Sequence, residues 1–319
     1  MLRWTGLDQV PEGFGPSIVT IGNFDGVHLG HVAVLGAMVA EARRAGARAV
    51  AVTFDPHPAV VHRPDSAPAP VTGLADRLDL LAATGLDATL VLPYTLEFAR
   101  QTPEAFVRDC LVEPLGMTRV VVGRDVRFGR DNSGTLETMR ELGERYGFAV
   151  EVVADVGDAS GLVGRCSSTH VRALLADGDV AGAAALLGRR HRLRGTVVQG
   201  DRRGRELGFP TANVGGEVSG LVPADGVYAG WLRVEGEGEA LPAAVSIGTN
   251  PTFDGVEQRI EAYVLDRTGL DLYGTEVTVE LVDRVRGQVR FESVDALVAQ
   301  MHDDVEKVRA LLAGRAAQG

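Results

Sequence analysis

The sequence predicts an α/β protein of two modules, an open parallel β-sheet flanked by helices over residues 1–186 and a small antiparallel β-barrel with a terminal helix over residues 187–319. Three observations carry that reading. The chain has 319 residues, more than the ~100 to 200 typical of one domain. Its first half alternates short β-branched runs with longer helical stretches, the pattern of strands that enter a parallel sheet through crossover helices. Its second half strings strand-like runs together across glycine-rich turns with no helix between them, as a small barrel requires.

The elements follow in order. SIVTIGNF, residues 17–24, reads as a strand, and HLGHVAVLGAMVAEARRAG, residues 28–46, as the helix behind it. RAVAVTFDP, ATLVLPY, TRVVVGRD and FAVEVVADV repeat the strand signal. Each is short and almost continuously apolar, which suits a parallel strand covered on both faces. HRPDSAPAPVTG, residues 62–73, reads as a mobile surface loop. STHVRALLADGDVAGAAALLG is helical, and the character of the chain changes over residues 187–195, where the module boundary falls. Beyond it, TVVQG, GVYAGWLRV, LPAAVSIG, RIEAYVL and TEVTVELVDRV supply barrel strands. Ser293 can cap the last helix, whose Leu297, Met301, Val305, Val308 and Leu312 form one apolar packing stripe.

Composition narrows the function classes. At 45% hydrophobic and 24% charged the chain is globular. A net charge of −11 argues against a general polyanion-binding surface, so no nucleic-acid partner is expected. No apolar run is long enough to span a bilayer and no cationic, then apolar, leader opens the chain, so the expectation is a cytoplasmic protein with no membrane partner. Cys110 and Cys166 lack the spacing of a zinc or redox pair and read as free thiols. Of the 32 basic residues only Lys307 is a lysine. Phosphate chemistry must therefore use arginine, histidine, backbone amides or a metal instead of a P-loop lysine.

Ligands of open α/β sheets bind beyond the carboxyl ends of the strands, and three motifs lie there. In GNFDGVHLGH, Gly22 ends a strand while His28 and His31 open the next helix three positions apart, so one helical face would carry both imidazoles into one cleft. Unpaired N–H groups and positive potential at the helix start favour a phosphate there. Paired imidazoles donating to equatorial phosphate oxygens would stabilise attack on an α-phosphate. A bare HxGH is as often a cap or a packing pair. The whole string, followed by TFDPHP, GRDVRFG and CSSTHVR in that order, resembles the nucleotidylyltransferase module of prokaryotic bifunctional riboflavin kinase/FAD synthetases.

That resemblance implies a Rossmann-like FMN adenylyltransferase domain over 1–186, with His28 and His31 catalytic and Gly22, Phe24, Asp25, His28, His31, Ser167, Ser168, Thr169 and Arg172 binding ATP. It places the flavin and nucleotide pockets around Pro56, His57, Pro58, Asp125 and Phe128, with a plain turn residue as the lesser reading of His57 between its prolines. Two residues depart from the family pattern. Val126 stands where an aromatic is common, which bears on flavin affinity more than on reaction type, and Cys166 stands where an aliphatic residue is common.

In the second module, GDRRGRELGFPTANVG joins a glycine- and arginine-rich turn to PTAN. If that segment is extended, Thr211 and Asn213 share a face, and their oxygens suit a magnesium ion that keeps part of its water shell. The string resembles the riboflavin kinase signature, and the likeness continues through GVYAG, SIGTNPTF, RIEAYVLD and LYG to the last helix. The resemblance implies a riboflavin kinase domain over 187–319, with Gly208, Pro210, Thr211 and Asn213 binding ATP, Thr211 and Asn213 holding Mg2+, and Glu261 as the catalytic base. Arg202, Arg203 and Arg205 would cover the phosphates or form a solvated turn.

The expected activity is thus phosphorylation of riboflavin by ATP to FMN, then adenylyl transfer from a second ATP to give FAD. Riboflavin, FMN and ATP are the expected partners, and a homo-oligomer stays open. The alternatives are a nucleotidylyltransferase for another small phosphate ester, which the kinase-like module disfavours, and a flavin-binding regulator with a disabled barrel, which intact Thr211, Asn213 and Glu261 disfavour.

Overall fold

The computed structural model describes residues 1–153, 166–200, 207–252, 255–267 and 269–315. Arg202, Arg203 and Arg205 lie outside the described residues. The chain divides into two compact units, Met1–Ser167 and Ser168–Gly319.

The first unit is built on a parallel sheet of β1 (Leu2–Trp4), β2 (Ser17–Ile21), β3 (Arg48–Asp55), β4 (Ala88–Pro93), β5 (Met117–Gly123) and β6 (Ala149–Val153), in the order β1-β4-β3-β2-β5-β6. Five of the six are the apolar runs expected. Strand β1 was not anticipated, because three residues are too few to display a period; it pairs parallel with β4 at the sheet edge. Alternate residues of one strand serve two cores: Val50 and Val52 pack with Phe106, Leu111 and Leu115, while Ala49 and Ala51 pack with Leu35, Met38 and Leu81. Burial on both faces is why these strands read as continuous apolar runs and not as alternating ones.

Helices α1 (Leu29–Ala45), α2 (Pro58–His62), α3 (Leu74–Ala83), α4 (Pro103–Val107), α5 (Glu113–Leu115) and α6 (Leu136–Tyr146) connect the strands. The chain runs outward from β2 to β3 and β4, then crosses to the other side of β2 to form β5. Strand order therefore reverses between β2 and β5, the place at which open α/β sheets bind ligands beyond the strands' carboxyl ends. The loop carrying His28 follows β2, and the loop carrying Asp125 and Phe128 follows β5.

The expectation of a mobile loop over 62–73 is corrected at its end. Val71 and Thr72 are buried, and their backbone N–H groups donate to the Asp25 carboxylate at 3.1 and 3.2 Å. The Thr72 hydroxyl accepts from Gly26 N at 2.9 Å. Proline and alanine composition marked a segment without regular structure, but these three hydrogen bonds anchor it.

The second unit contains helices α7 (Ser168–Asp177) and α8 (Val180–Leu187) and a closed antiparallel barrel of β7 (His191–Val198), β8 (Thr211–Ser219), β9 (Gly226–Val234), β10 (Ala240–Thr252), β11 (Gly255–Val264) and β12 (Glu276–Arg286), in the order β10-β11-β8-β7-β12-β9. Leu193, Val214, Tyr228, Leu232, Val245 and Val279 are among its buried residues. Helix α8 packs on β12 and β7, so by contacts α7 and α8 go with the barrel, upstream of the 186/187 boundary read from sequence. Helix α9 (Val294–Ala313) is capped by the Ser293 hydroxyl, which accepts from Ala296 N at 3.2 Å. Its stripe, including Val305, Val308 and Leu312, packs on Ala229, Trp231 and Val282. The stripe also holds an acid that periodicity had not marked: buried Asp304 receives the Arg286 guanidinium in three hydrogen bonds of 2.7 to 3.0 Å. Among the described residues no helix is long and apolar enough to cross a membrane.

Candidate active sites

The loop between β2 and α1 turns sharply, with Phe24 and Val27 in the left-handed region at φ 47° and 38°. Non-glycine residues there carry strain, which folds retain mostly at functional sites. His28 is not on the helical face expected of it. It is the extended N-cap residue of α1, and its Nδ1 accepts from His31 N at 3.3 Å. That bond assigns the proton of a neutral His28 ring to Nε2. The rings of His28 and His31 still meet, stacked at 3.7 Å and 16°.

Two glycines make room for this. A Cβ on Gly30 would lie 3.1 Å from the His28 ring, and one on Gly22 would lie 3.1 Å from the Phe24 ring. The Phe24 ring in turn stands edge-on to His31 at 5.3 Å. The Cys166 carbonyl lies 3.7 Å from the same Gly30 position, so the segment leading to Ser167 approaches the start of α1. Burial, and secondarily the His28 charge, hold the His31 pKa down to about 3 from 6.5. His31 is therefore a neutral imidazole near pH 7, and among the described residues its buried Nδ1 has no hydrogen-bond partner.

Asp25 is buried and spends its carboxylate on Val71 and Thr72. Arg77, which sequence reasoning missed, is only 4% exposed. It donates from Nη1 to the Asn23 carbonyl and from Nη2 to the Phe54 carbonyl, both at 3.1 Å. Its signal was legible: Leu74, Arg77, Leu78 and Leu81 share one face of α3, so an arginine interrupts an apolar stripe.

Across the carboxyl ends of β3 and β4 runs a second unanticipated feature, an aromatic wall. Phe54 meets Tyr94, Phe98 and Phe106 at 5.6, 6.1 and 6.4 Å, and Phe106 meets Phe128 at 6.1 Å. Of the residues expected nearby, Phe128 is buried in this wall, Asp125 is exposed, and Val126 is partly buried against the core. Pro56 precedes α2, Pro58 is its first residue, and His57 caps it by accepting from Ala59 N at 3.1 Å. Ser168, Thr169 and Arg172 lie in the first part of α7, in the second unit.

In the barrel, Gly208 at φ 88° turns the chain into β8, and buried Phe209 meets the rings of half-buried Tyr263 and exposed His302 edge-on. The segment after Pro210 is extended, so Thr211 and Asn213 do share a face. Gly200 abuts Asn213: a Cβ there would come within 2.6 Å of three atoms of the amide. Cross-strand register pairs Asn213 with Glu261, and Glu261 with Ser246. Directly opposed residues put their side chains on the same face of a sheet. One cleft is lined by Gly200, Pro210, Thr211 and Asn213, with Leu272 and Tyr273 at its rim. A second is lined by Asp225, Ser246, Thr249, Glu261 and Gln288. Asn213 of the first cleft is the cross-strand partner of Glu261 of the second.

Asp225 and Gln288 were not foreseen. The Asp225 carboxylate accepts from Thr249 N and Oγ1 at 3.0 and 2.8 Å, and Gln288 Nε2 donates to the Ile247 carbonyl at 2.9 Å. Single polar residues of turns give no periodic signal by which to find them.

Comparison with known proteins gives two family matches, an FAD synthetase model over residues 11–169 and a riboflavin kinase model over residues 187–312. The bifunctional riboflavin kinase/FMN adenylyltransferase of Escherichia coli (strain K12) is 40% identical over 301 residues, 93% of each chain. The protein of that description from Listeria monocytogenes is 35% identical, over 98% of this chain and 95% of its own. A crystal structure from Streptococcus pneumoniae, described as a macrolide-efflux protein, superposes with a TM-score of 0.84 at 31% identity, over 97% of this chain and 98% of its own.

Proposed function

The chain belongs to the bifunctional riboflavin kinase/FMN adenylyltransferase family, and we propose that the histidine loop of residues 1–186 carries adenylyl transfer while the Asn213–Glu261 pair of residues 187–319 carries phosphorylation of riboflavin. The enzyme uses ATP to convert riboflavin to FMN and then FMN to FAD.

The observation that carries the kinase assignment is the register that pairs Asn213 of one cleft with Glu261 of another. Triphosphate in the Thr211–Asn213 cleft and the ribityl chain in the Glu261 cleft would bring the γ-phosphorus and the 5′-hydroxyl together there. Glu261 accepts the hydroxyl proton as the oxygen bonds to phosphorus and the bond to ADP breaks. Thr211 and Asn213 offer neutral hard oxygens on one face, a donor set that fits Mg2+ completed by phosphate and water. Such an ion, when bound, neutralises charge on the triphosphate.

In adenylyl transfer an FMN phosphate oxygen attacks the α-phosphorus and pyrophosphate leaves. The stacked imidazoles at the start of α1 support donation to the oxygens that gain charge, reinforced by the helix N-terminus. The aromatic wall around Phe54, close to Pro56 and His57, supports a flavin site there. The roles of Ser167, Ser168, Thr169 and Arg172 rest on the family resemblance. Small soluble substrates support action in the cytoplasm.

Incubation with riboflavin, ATP and magnesium, followed by chromatographic separation of riboflavin, FMN and FAD, tests the division of labour. Replacing His28 and His31 together with alanine should lower FAD formation from supplied FMN by at least ~10² to 10³ while FMN formation continues. A folded double variant that adenylylates FMN at the parental rate refutes the assignment.

A further inference from the structure

One buried side chain outside the expected site touches both halves of the adenylyltransferase centre. The Arg77 guanidinium donates to the carbonyl of Asn23, at the root of the histidine loop, and to the carbonyl of Phe54, whose ring opens the aromatic wall. The Thr53 hydroxyl adds a weaker bond to the same Asn23 oxygen at 3.3 Å, and Gly22 N donates to Val52 O at 3.0 Å. Asp55 Oδ1 lies 3.9 Å from Nη2, so the cation has a distant counter-charge on the same side.

We infer that Arg77 is a positioning residue for adenylyl transfer, whose planar fork sets the spacing between the nucleotide loop and the flavin wall. The inference rests on the reading of those two elements as the ATP and flavin sites. A guanidinium suits the task because its donors are fixed in one plane, so two carbonyls held by one fork cannot slide past each other. Arg77 lies on α3 between Leu74 and Leu78, with its side chain buried. In-line attack on phosphorus depends steeply on alignment; a displacement of ~1 Å costs as much as ~10² in rate. Histidines that donate and a ring that stacks are therefore insufficient unless their separation is fixed.

A residue that fixed separation alone would act on kcat more than on binding, which separates this role from simple support of the fold. Arg77→Lys keeps charge and stem but replaces the fork with one nitrogen. In the full-length enzyme it should lower kcat for FMN adenylylation at least ~10-fold with KM for ATP and FMN within ~3-fold of parental, while riboflavin phosphorylation is unchanged. Arg77→Gln, which carries no buried charge, stands in if the lysine variant does not fold. Parental kcat in either folded variant overturns the inference, as does a loss confined to KM or a loss that disappears when rates are normalised to folded protein. Phe54→Leu tests the underlying reading separately: unchanged FMN affinity in that variant removes the aromatic wall from the flavin site, whatever Arg77 does.

Discussion

Gly30→Ala should leave stability almost unchanged and yet cripple FAD synthesis. The added methyl would stand 3.1 Å from both Cε1 and Nδ1 of His28, tighter than the 3.4–4 Å of ordinary contact, so the ring must yield by a few tenths of an ångström. It has little room to do so, because its other face stacks on His31 at 3.7 Å. The Nδ1 bond from His31 N is already 3.3 Å long; moved outward, it is lost. Loss of an N-cap costs about 1 kcal/mol, whereas alanine in place of glycine within a helix gains roughly 0.5–1 kcal/mol. The two nearly cancel in stability. They do not cancel in catalysis, since a displaced donor loses ~10- to 10²-fold in rate even when still present. Thermal unfolding should shift by no more than a few degrees, while FAD formation from supplied FMN falls by that factor and riboflavin phosphorylation holds. Parental adenylylation in the folded Gly30→Ala enzyme would refute the idea that His28 needs this geometry.

Other outcomes follow from the same structure. Glu261→Gln should reduce kinase turnover by ~10² to 10⁴ with adenylylation of supplied FMN intact; equal loss of both activities would point to unfolding, and parental phosphorylation would exclude Glu261 as the base. The depressed His31 pKa, about 3 against 6.5, means the unfolded chain takes up this proton more readily than the folded one. That stability is complete above pH 6.5 and is lost as pH falls toward 3, so urea titrations should show a steeper acid loss in the parent than in His31→Gln; identical slopes would dismiss the burial. A fragment beginning at Ser168 should outlast one beginning at Leu187, since the shorter piece gives up buried Val180 and Leu186, worth roughly 1.5–3 kcal/mol each as an upper bound; matching urea midpoints would show that α8 contributes nothing to the barrel.

Much of the candidate adenylylation site was legible because it lies in a short, contiguous string. GNFDGVHLGH ends a strand and starts a helix within ten residues, so the histidines, the helix start and the enabling glycines are local facts. The apolar runs marked β2 to β6 because a strand buried on both faces has no polar interruption. In the barrel, five runs were readable, but β8 was legible only conditionally, as polar and glycine-rich residues disguise its extension.

By itself, then, the sequence determined the two fold classes, the order of motifs and the residue types available to each reaction, including the near absence of lysine. Tertiary structure decided which of those residues are aimed and which are structural. The Asp25 carboxylate holds a strap 46 and 47 residues away, and Arg77 reaches Asn23 across 54 positions. Glu261 meets Asn213 only because β11 and β8 pair in one register, and a slip of one strand by one residue would put the two side chains on opposite faces. Helical and strand periods report which way a side chain points from its own backbone; what it meets there depends on the partner segment, and no local pattern encodes that.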